Sequence, residues 1–279
     1  MYLRKMIITL GLLASLSLSV LAEEDKDVSF VVLGKTPAYS QDSAGKISHK
    51  KHYLFGEIFL KSGGSLKAAT LTTPEGAKYD VMDFTDAGHV WKIKRQDFRD
   101  QAEMDAAFPD GEYVFSIETG TGQTYRENIS LMFREGHEGY TKPITIYFYQ
   151  VGKLVSQDHI DPDKDLVVRW SPFTKGRQDP NGIADDLIFA MSFDCHGKSF
   201  ARSTLPFVET PALIYSDRAF RIPADRLQAG ATYKIIVEHA ELVETKLGQG
   251  DIKFFATFPS VTDTLFRTTG ESTVSCPAD

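Results

Sequence analysis

The densest set of metal-type ligands in the chain lies in acidic loops. Asp179, Asn181, Asp185 and Asp186 cluster around Gly182, and Asp161, Asp163 and Asp165 alternate just ahead of an apolar run. Calcium takes several carboxylate and carbonyl oxygens at about 2.3–2.6 Å, often from Asp/Asn-Gly loops. Asp179, Asn181, Asp185 and Asp186 are therefore the candidate metal ligands, and calcium is the one cofactor the sequence suggests. The regular D-x-D-x-D-G spacing is lacking, and such side chains more commonly cap turns.

Other constellations are weaker. The histidines are His49, His52, His89, His137, His159, His196 and His239. No pair has HExxH spacing, and no Cys/His set has zinc spacing. His49-x-x-His52 is flanked by Lys50 and Lys51, which repel a cation. There is no Gly-x-Ser-x-Gly motif. Cys195 and His196 are neighbours, and adjacent strand residues point to opposite faces. Gly120-Thr121-Gly122-Gln123-Thr124 lacks the lysine of a phosphate loop and reads as a hairpin turn. No catalytic residue is assigned, and the expectation is a non-enzyme.

Aromatic residues offer little platform for a ligand. Trp170 alternates with Leu166 and Val168, and Trp91 with Ile93, so both indoles are expected to face inward. Tyr140, Tyr147, Phe148 and Tyr149 are expected to pack between domains rather than form a groove. Asn128-Ile129-Ser130 is a glycosylation sequon, meaningful only in a secreting eukaryote.

The 279 residues carry 38 acids against 31 bases, for a formal charge of −7. That balance argues against a nucleic-acid partner. Met1–Ala22 reads as a cleaved signal peptide. Arg4 and Lys5 precede an uncharged apolar run, and Val20 and Ala22 sit at the −3 and −1 positions of a small-residue cleavage site. Its removal takes two basic residues and leaves a charge of −9. The apolar run is short of the roughly 20 residues that span a bilayer. The expected compartment is secreted or periplasmic, with no membrane span. It permits a disulfide between the only two cysteines, Cys195 and Cys276, closing a loop of about 80 residues worth roughly 4 kcal/mol in a chain-entropy model. Two free thiols or an intermolecular bond are the alternatives.

The elements that position these residues follow period two. Val28–Leu33, Tyr53–Leu60, Leu66–Thr73, Val90–Arg95, Glu112–Glu118 and Ile144–Tyr149 read as strands. So do Leu166–Trp170, Leu187–Phe193, Leu213–Ile222, Thr232–His239 and Ile252–Phe258. Turn chemistry such as Pro109-Asp110-Gly111 separates them. One helix is expected in Asp97–Ala107, with Phe98, Ala102 and Ala106 on its inner face. A weak repeat relates Ala107–Glu118 to Leu227–Glu238, each with an apolar residue, a glycine turn and then Tyr113 or Tyr233 opening an alternating strand. The predicted fold is all-β: two tandem immunoglobulin-like β-sandwich domains after a cleaved signal peptide. The expected units are residues 1–22, 23–138, 139–262 and a polar tail, 263–279.

The second unit resembles a fibronectin type III-like, immunoglobulin-like domain over residues 140–259. Leu166-Val167-Val168-Arg169-Trp170 matches the family's early strand, and Leu227, Gly230, Tyr233, Ile235 and Val237 match its later motif. The resemblance implies that Tyr233 is a corner tyrosine bonding back to the backbone. The first unit is a looser analogue. The expected role is non-catalytic: a binding, interaction or structural module with a protein or glycan partner. A small carbohydrate-binding protein is the alternative, and an enzyme accessory protein or hydrolase with a dispersed site the second alternative. Exposed aromatics on one face would favour the glycan, and an open, uncharged edge strand a protein.

Overall fold

The computed structural model describes residues 25–84, 89–136, 138–207 and 211–272. Met1–Ala22, His137 and Cys276 lie outside the described residues. The chain is nearly all β, with 53% strand and 5% helix.

The first half builds β1 (Val28–Gln41), β2 (Ile47–Leu60), β3 (Leu66–Thr72), β4 (Lys78–Met82), β5 (Val90–Ile93) and β6 (Gln96–Phe98). Helix α1 (Gln101–Ala107) leads to β7 (Gly111–Thr119) and β8 (Thr124–Leu131). The second half builds β9 (Ile146–Gln150), β10 (Lys153–Val155), β11 (Leu166–Trp170), β12 (Leu187–Asp194) and β13 (Ser199–Arg202). It ends with β14 (Leu213–Ile214), β15 (Ala219–Ile222), β16 (Thr232–Leu247) and β17 (Lys253–Arg267). Eleven strands run in the order β13-β12-β16-β17-β1-β2-β5-β4-β3-β7-β8, with β14 added beside β12 and β6 beside β2. A separate four-stranded sheet runs β10-β9-β11-β15.

The long sheet belongs to both halves. β1 pairs with β17 in parallel, Val31 against Phe254 and Ala38 against Val261. Alternation along β17 then explains the layout. Phe254, Ala256 and Phe258 enter a first core with Leu33, Leu71, Tyr113, Phe115 and Ile129. Phe266 enters a second core with Trp170, Tyr233, Ile235 and Val237. Between them, on the same face, Ser260, Thr262 and Thr264 are buried. The two cores are thus separated by a polar seam on one continuous sheet. Phe30, Val32 and Phe255 point to the opposite face, where they form a third cluster with Leu187, Ala240 and Leu242.

The expected boundary at 138/139 falls between β8 and β9, but Ile252, Phe254, Ala256 and Phe258 lie in the first core, so sequence ranges do not partition the cores. The helix is shorter than expected. Residues 96–98 pair with β2 instead. Asp100 caps α1 by accepting from the Glu103 amide at 3.0 Å, and Glu103 accepts in return from the Arg99 amide at 2.8 Å. Met104 and Phe108 face the core, while Ala102 and Ala106 are exposed. Leu213–Ile222 is two strands, because a turn at 215–218 breaks it. Both repeat tyrosines close corners: the Tyr113 hydroxyl donates to the Pro109 carbonyl at 2.8 Å, and the Tyr233 hydroxyl accepts from the Gln228 amide at 2.7 Å.

Candidate functional site

The acidic loop ahead of β12 spends its carboxylates on the protein itself. Asp179 accepts from the amides of Asn181, Ile183 and Ala184 at 3.0, 2.8 and 3.0 Å, and from the Thr245 hydroxyl at 2.9 Å. Burial pushes its pKa up, but these bonds outweigh burial and hold it below the usual carboxylate range. The Asn181 side-chain amide donates to the Thr245 carbonyl, and Asp185 accepts from the Asp179 amide. Asp186 is bound by Arg134. The expected calcium set of Asp179, Asn181, Asp185 and Asp186 therefore does not converge on a common point: its oxygens cap turns and anchor a guanidinium. Among the described residues, no group of three or more His, Cys, Asp or Glu is placed to hold a metal. Asp161 and Asp165 are likewise taken up, by Lys164 at 2.6 Å and Arg221 at 2.5 Å.

The seam between the cores gathers the buried charges. The Arg134 side chain, 7% exposed, reaches Asp186 at 2.5 Å and Glu241 at 3.6 Å. It also donates to the Leu242 carbonyl at 2.9 Å. Asp186 accepts from the amides of Arg177 and Leu242 as well. Burial nevertheless dominates, and the Asp186 carboxyl is pushed up against the pull of Arg134. Lys175 stands 3.8 Å from Glu241. A cleft of about 140 Å³ opens beside this group, lined by Arg134, Arg177, Asp179, Asn181, Glu244 and Thr245. At the first core's end, Lys35 is fully buried and reaches Asp105 at 2.8 Å and Asp110 at 2.6 Å. Gln41 completes the seam, its amide bonded both ways to the Ile146 backbone at 2.8 Å.

The outer face of the four-stranded sheet is different. β9 alternates, so Ile146 and Phe148 are buried while Tyr147 and Tyr149 turn out. Tyr149 pairs in register with Leu154 and Val167, and Tyr147 with Arg169. All five side chains therefore share one face. The Arg169 guanidinium lies 5.0 Å from the centre of the Tyr149 ring. Tyr147 is 42% exposed and Leu154 63%. Of the tyrosines expected to pack between domains, Tyr140 packs into the first core against Phe133, Phe258 and His52, while Tyr147 and Tyr149 face outward. Period two within Ile146–Gln150 was the available signal, since it separates the odd tyrosines from buried Phe148. Trp170 is inward, 4% exposed, and donates to the Asp217 carbonyl at 3.1 Å.

The sheet edges are poorly suited to pairing with another chain. β10 has three residues and β13 four. β15 carries Arg221, tied to Asp165. The exposed backbone of β8 is met by side chains of β16: Glu244 accepts from the Ser130 amide, and Lys246 donates to the Asn128 carbonyl. Short and charged edges of this kind resist strand addition.

No protein-family model matches the chain, and no curated protein matches it. A solved structure described as "Biofilm associated protein - BSP domain" aligns with TM-score 0.22 and 12% identity. The alignment covers 87% of this chain, which spans only 30% of that structure. A likeness that loose carries no argument about fold or activity.

Proposed function

We propose that this is a secreted or periplasmic, non-catalytic β-sandwich protein that binds its ligand on the outer face of the four-stranded sheet. One observation carries the reading: Tyr147, Tyr149 and Arg169 stand together on an open sheet face, with Leu154 and Val167 beside them. Aromatic rings receive the apolar faces of sugars, and a neighbouring guanidinium supplies fixed donors to hydroxyls or carboxylates. The ligand class that fits is a glycan. The second unit is read as fibronectin III-like, supported by inward Trp170 and the Tyr233 corner. The secretory compartment rests on Met1–Ala22, and a Cys195–Cys276 bridge suits it.

The alternative is a protein partner, and it has its own support. Val151 and Leu154, 77% and 63% exposed, present an apolar hairpin tip at one side of the same face. A glycan array probed with the protein and with a Tyr147→Ser/Tyr149→Ser variant tests the first reading. Binding by the parent that the variant loses supports it. Array binding that the variant retains, or no array binding at all, overturns it.

A further inference from the structure

We propose that His49 and His52 form a two-imidazole site for a divalent transition-metal ion of the copper(II) or nickel(II) type. Residues three apart on a regular strand point to opposite faces. Here β2 carries a bulge: Ala38 pairs with Lys51 but Tyr39 pairs with His49, leaving Lys50 as the extra residue. The bulge brings both imidazoles to one face. His49 Nε2 lies 3.0 Å from His52 Nδ1, with the ring centres 4.7 Å apart.

That separation suits a shared ion. At a metal–nitrogen distance of about 2.1 Å, cis ligands at a right angle lie about 3.0 Å apart, and tetrahedral ones about 3.4 Å. The spacing therefore fits square or octahedral coordination better than tetrahedral zinc. Without metal, one ring must donate a proton to the other. Ligation through both facing nitrogens needs only that this proton sit on the outward nitrogen of its own ring, so no proton is lost.

The lysines that seemed to repel a cation are directed elsewhere. Lys50 pairs with Asp263 at 2.6 Å, and Lys51 with Asp97 at 2.6 Å. Asp100 and Asp105 are likewise committed, to Arg99 at 2.9 Å and Lys35 at 2.8 Å, so the site rests on the two imidazoles alone. His52 is buried, opposite Phe98 in register and edge-on to the Tyr140 ring, whereas His49 is exposed. One ligand is thus fixed, and the open side leaves room for water in the remaining positions.

The test is titration with copper(II) or nickel(II), followed by calorimetry and, for copper, by electron paramagnetic resonance. The parent protein is expected to bind one equivalent at sub-millimolar metal, with a two-imidazole nitrogen pattern. His49→Ala, at an exposed position, should keep the fold and weaken binding by a factor of about ten or more. His52→Ala should do the same, and His159→Ala should change nothing. Equal binding by the parent and His49→Ala overturns the site, and so does no sub-millimolar binding by the parent. The site lies apart from the tyrosine face, so either proposal can fail without the other.

Discussion

Arg134 in the seam and Arg169 on the outer face are the same residue type in opposite circumstances. Arg134 is buried against Asp186, Glu241 and the Leu242 carbonyl. Arg169 is exposed beside a tyrosine ring, and no carboxylate among the described residues pairs with it. The seam uses its polar groups to hold two cores on one sheet. The face leaves its donors and rings open to a ligand. A charged or aromatic residue is thus informative about binding only once its internal partners are counted.

The largest effect should come from breaking the seam. Arg134→Met leaves Asp186 and Glu241, 1% and 0% exposed, without their guanidinium. Removing one partner of a buried ion pair costs about 3–5 kcal/mol, to be read from urea unfolding. Lys35→Met should cost less, about 1–3 kcal/mol, because its partners keep access to water and can be rehydrated. Asp105 and Asp110 are 36% and 37% exposed. Equal costs for the two variants would erase the distinction drawn from burial.

Neighbouring residues of β16 sharpen the contrast through pH. His239 stacks on Phe173, and burial, with Arg218 adding to it, pulls its pKa down to about 3. The unfolded chain protonates this ring below about 6.5 and the folded one does not, so stability falls as pH drops from 6.5 toward 3. Glu238 points to the other face, and burial, aided by Glu57, pushes its pKa up to about 8. The unfolded chain ionises this carboxyl above its ordinary value of 4.5, so its contribution is lost as pH rises from 4.5 to 8. His239→Phe should therefore gain melting temperature relative to the parent most at pH 5, and Glu238→Gln most at pH 8. Thermal melts at the two pH values check both, and a reversed order would contradict the burial assigned to each.

The smallest stability effect belongs to the face. Arg169→Ala and Tyr147→Ser should change unfolding free energy by no more than about 0.5 kcal/mol, as for most open surface sites. A larger loss in urea unfolding would show that the face is structural after all.

Much of this was legible where alternation and hydrophobicity agree. β11 has the expected bounds, and Trp170 is inward. The paired corners at Tyr113 and Tyr233 matched the repeat. What stayed hidden were the polar halves of β1, β2, β16 and β17. Lys35, Thr262 and Thr264 are polar residues that are buried because distant segments supply their partners, Asp105 and Asp110 for Lys35, the Ile144 amide for Thr262 and the Gln41 carbonyl for Thr264. β8 was missed for a similar reason: its charged residues Arg126 and Glu127 mask an edge strand. The acidic loop misled because turn-capping and calcium binding use the same residues, and only the positions of Arg134 and Thr245 separate them. The bulge at Lys50 leaves no mark in period two, so the shared face of His49 and His52 was not legible, and only the flanking lysines were.

The most direct test of the central claim is nuclear magnetic resonance of ring-labelled tyrosines, titrated with the best glycan from the array. Shifts are expected at Tyr147 and Tyr149, and none at Tyr39 beside His49 or at Tyr140 in the first core. Shifts confined to Tyr39 and Tyr140, with Tyr147 and Tyr149 unmoved, would contradict it.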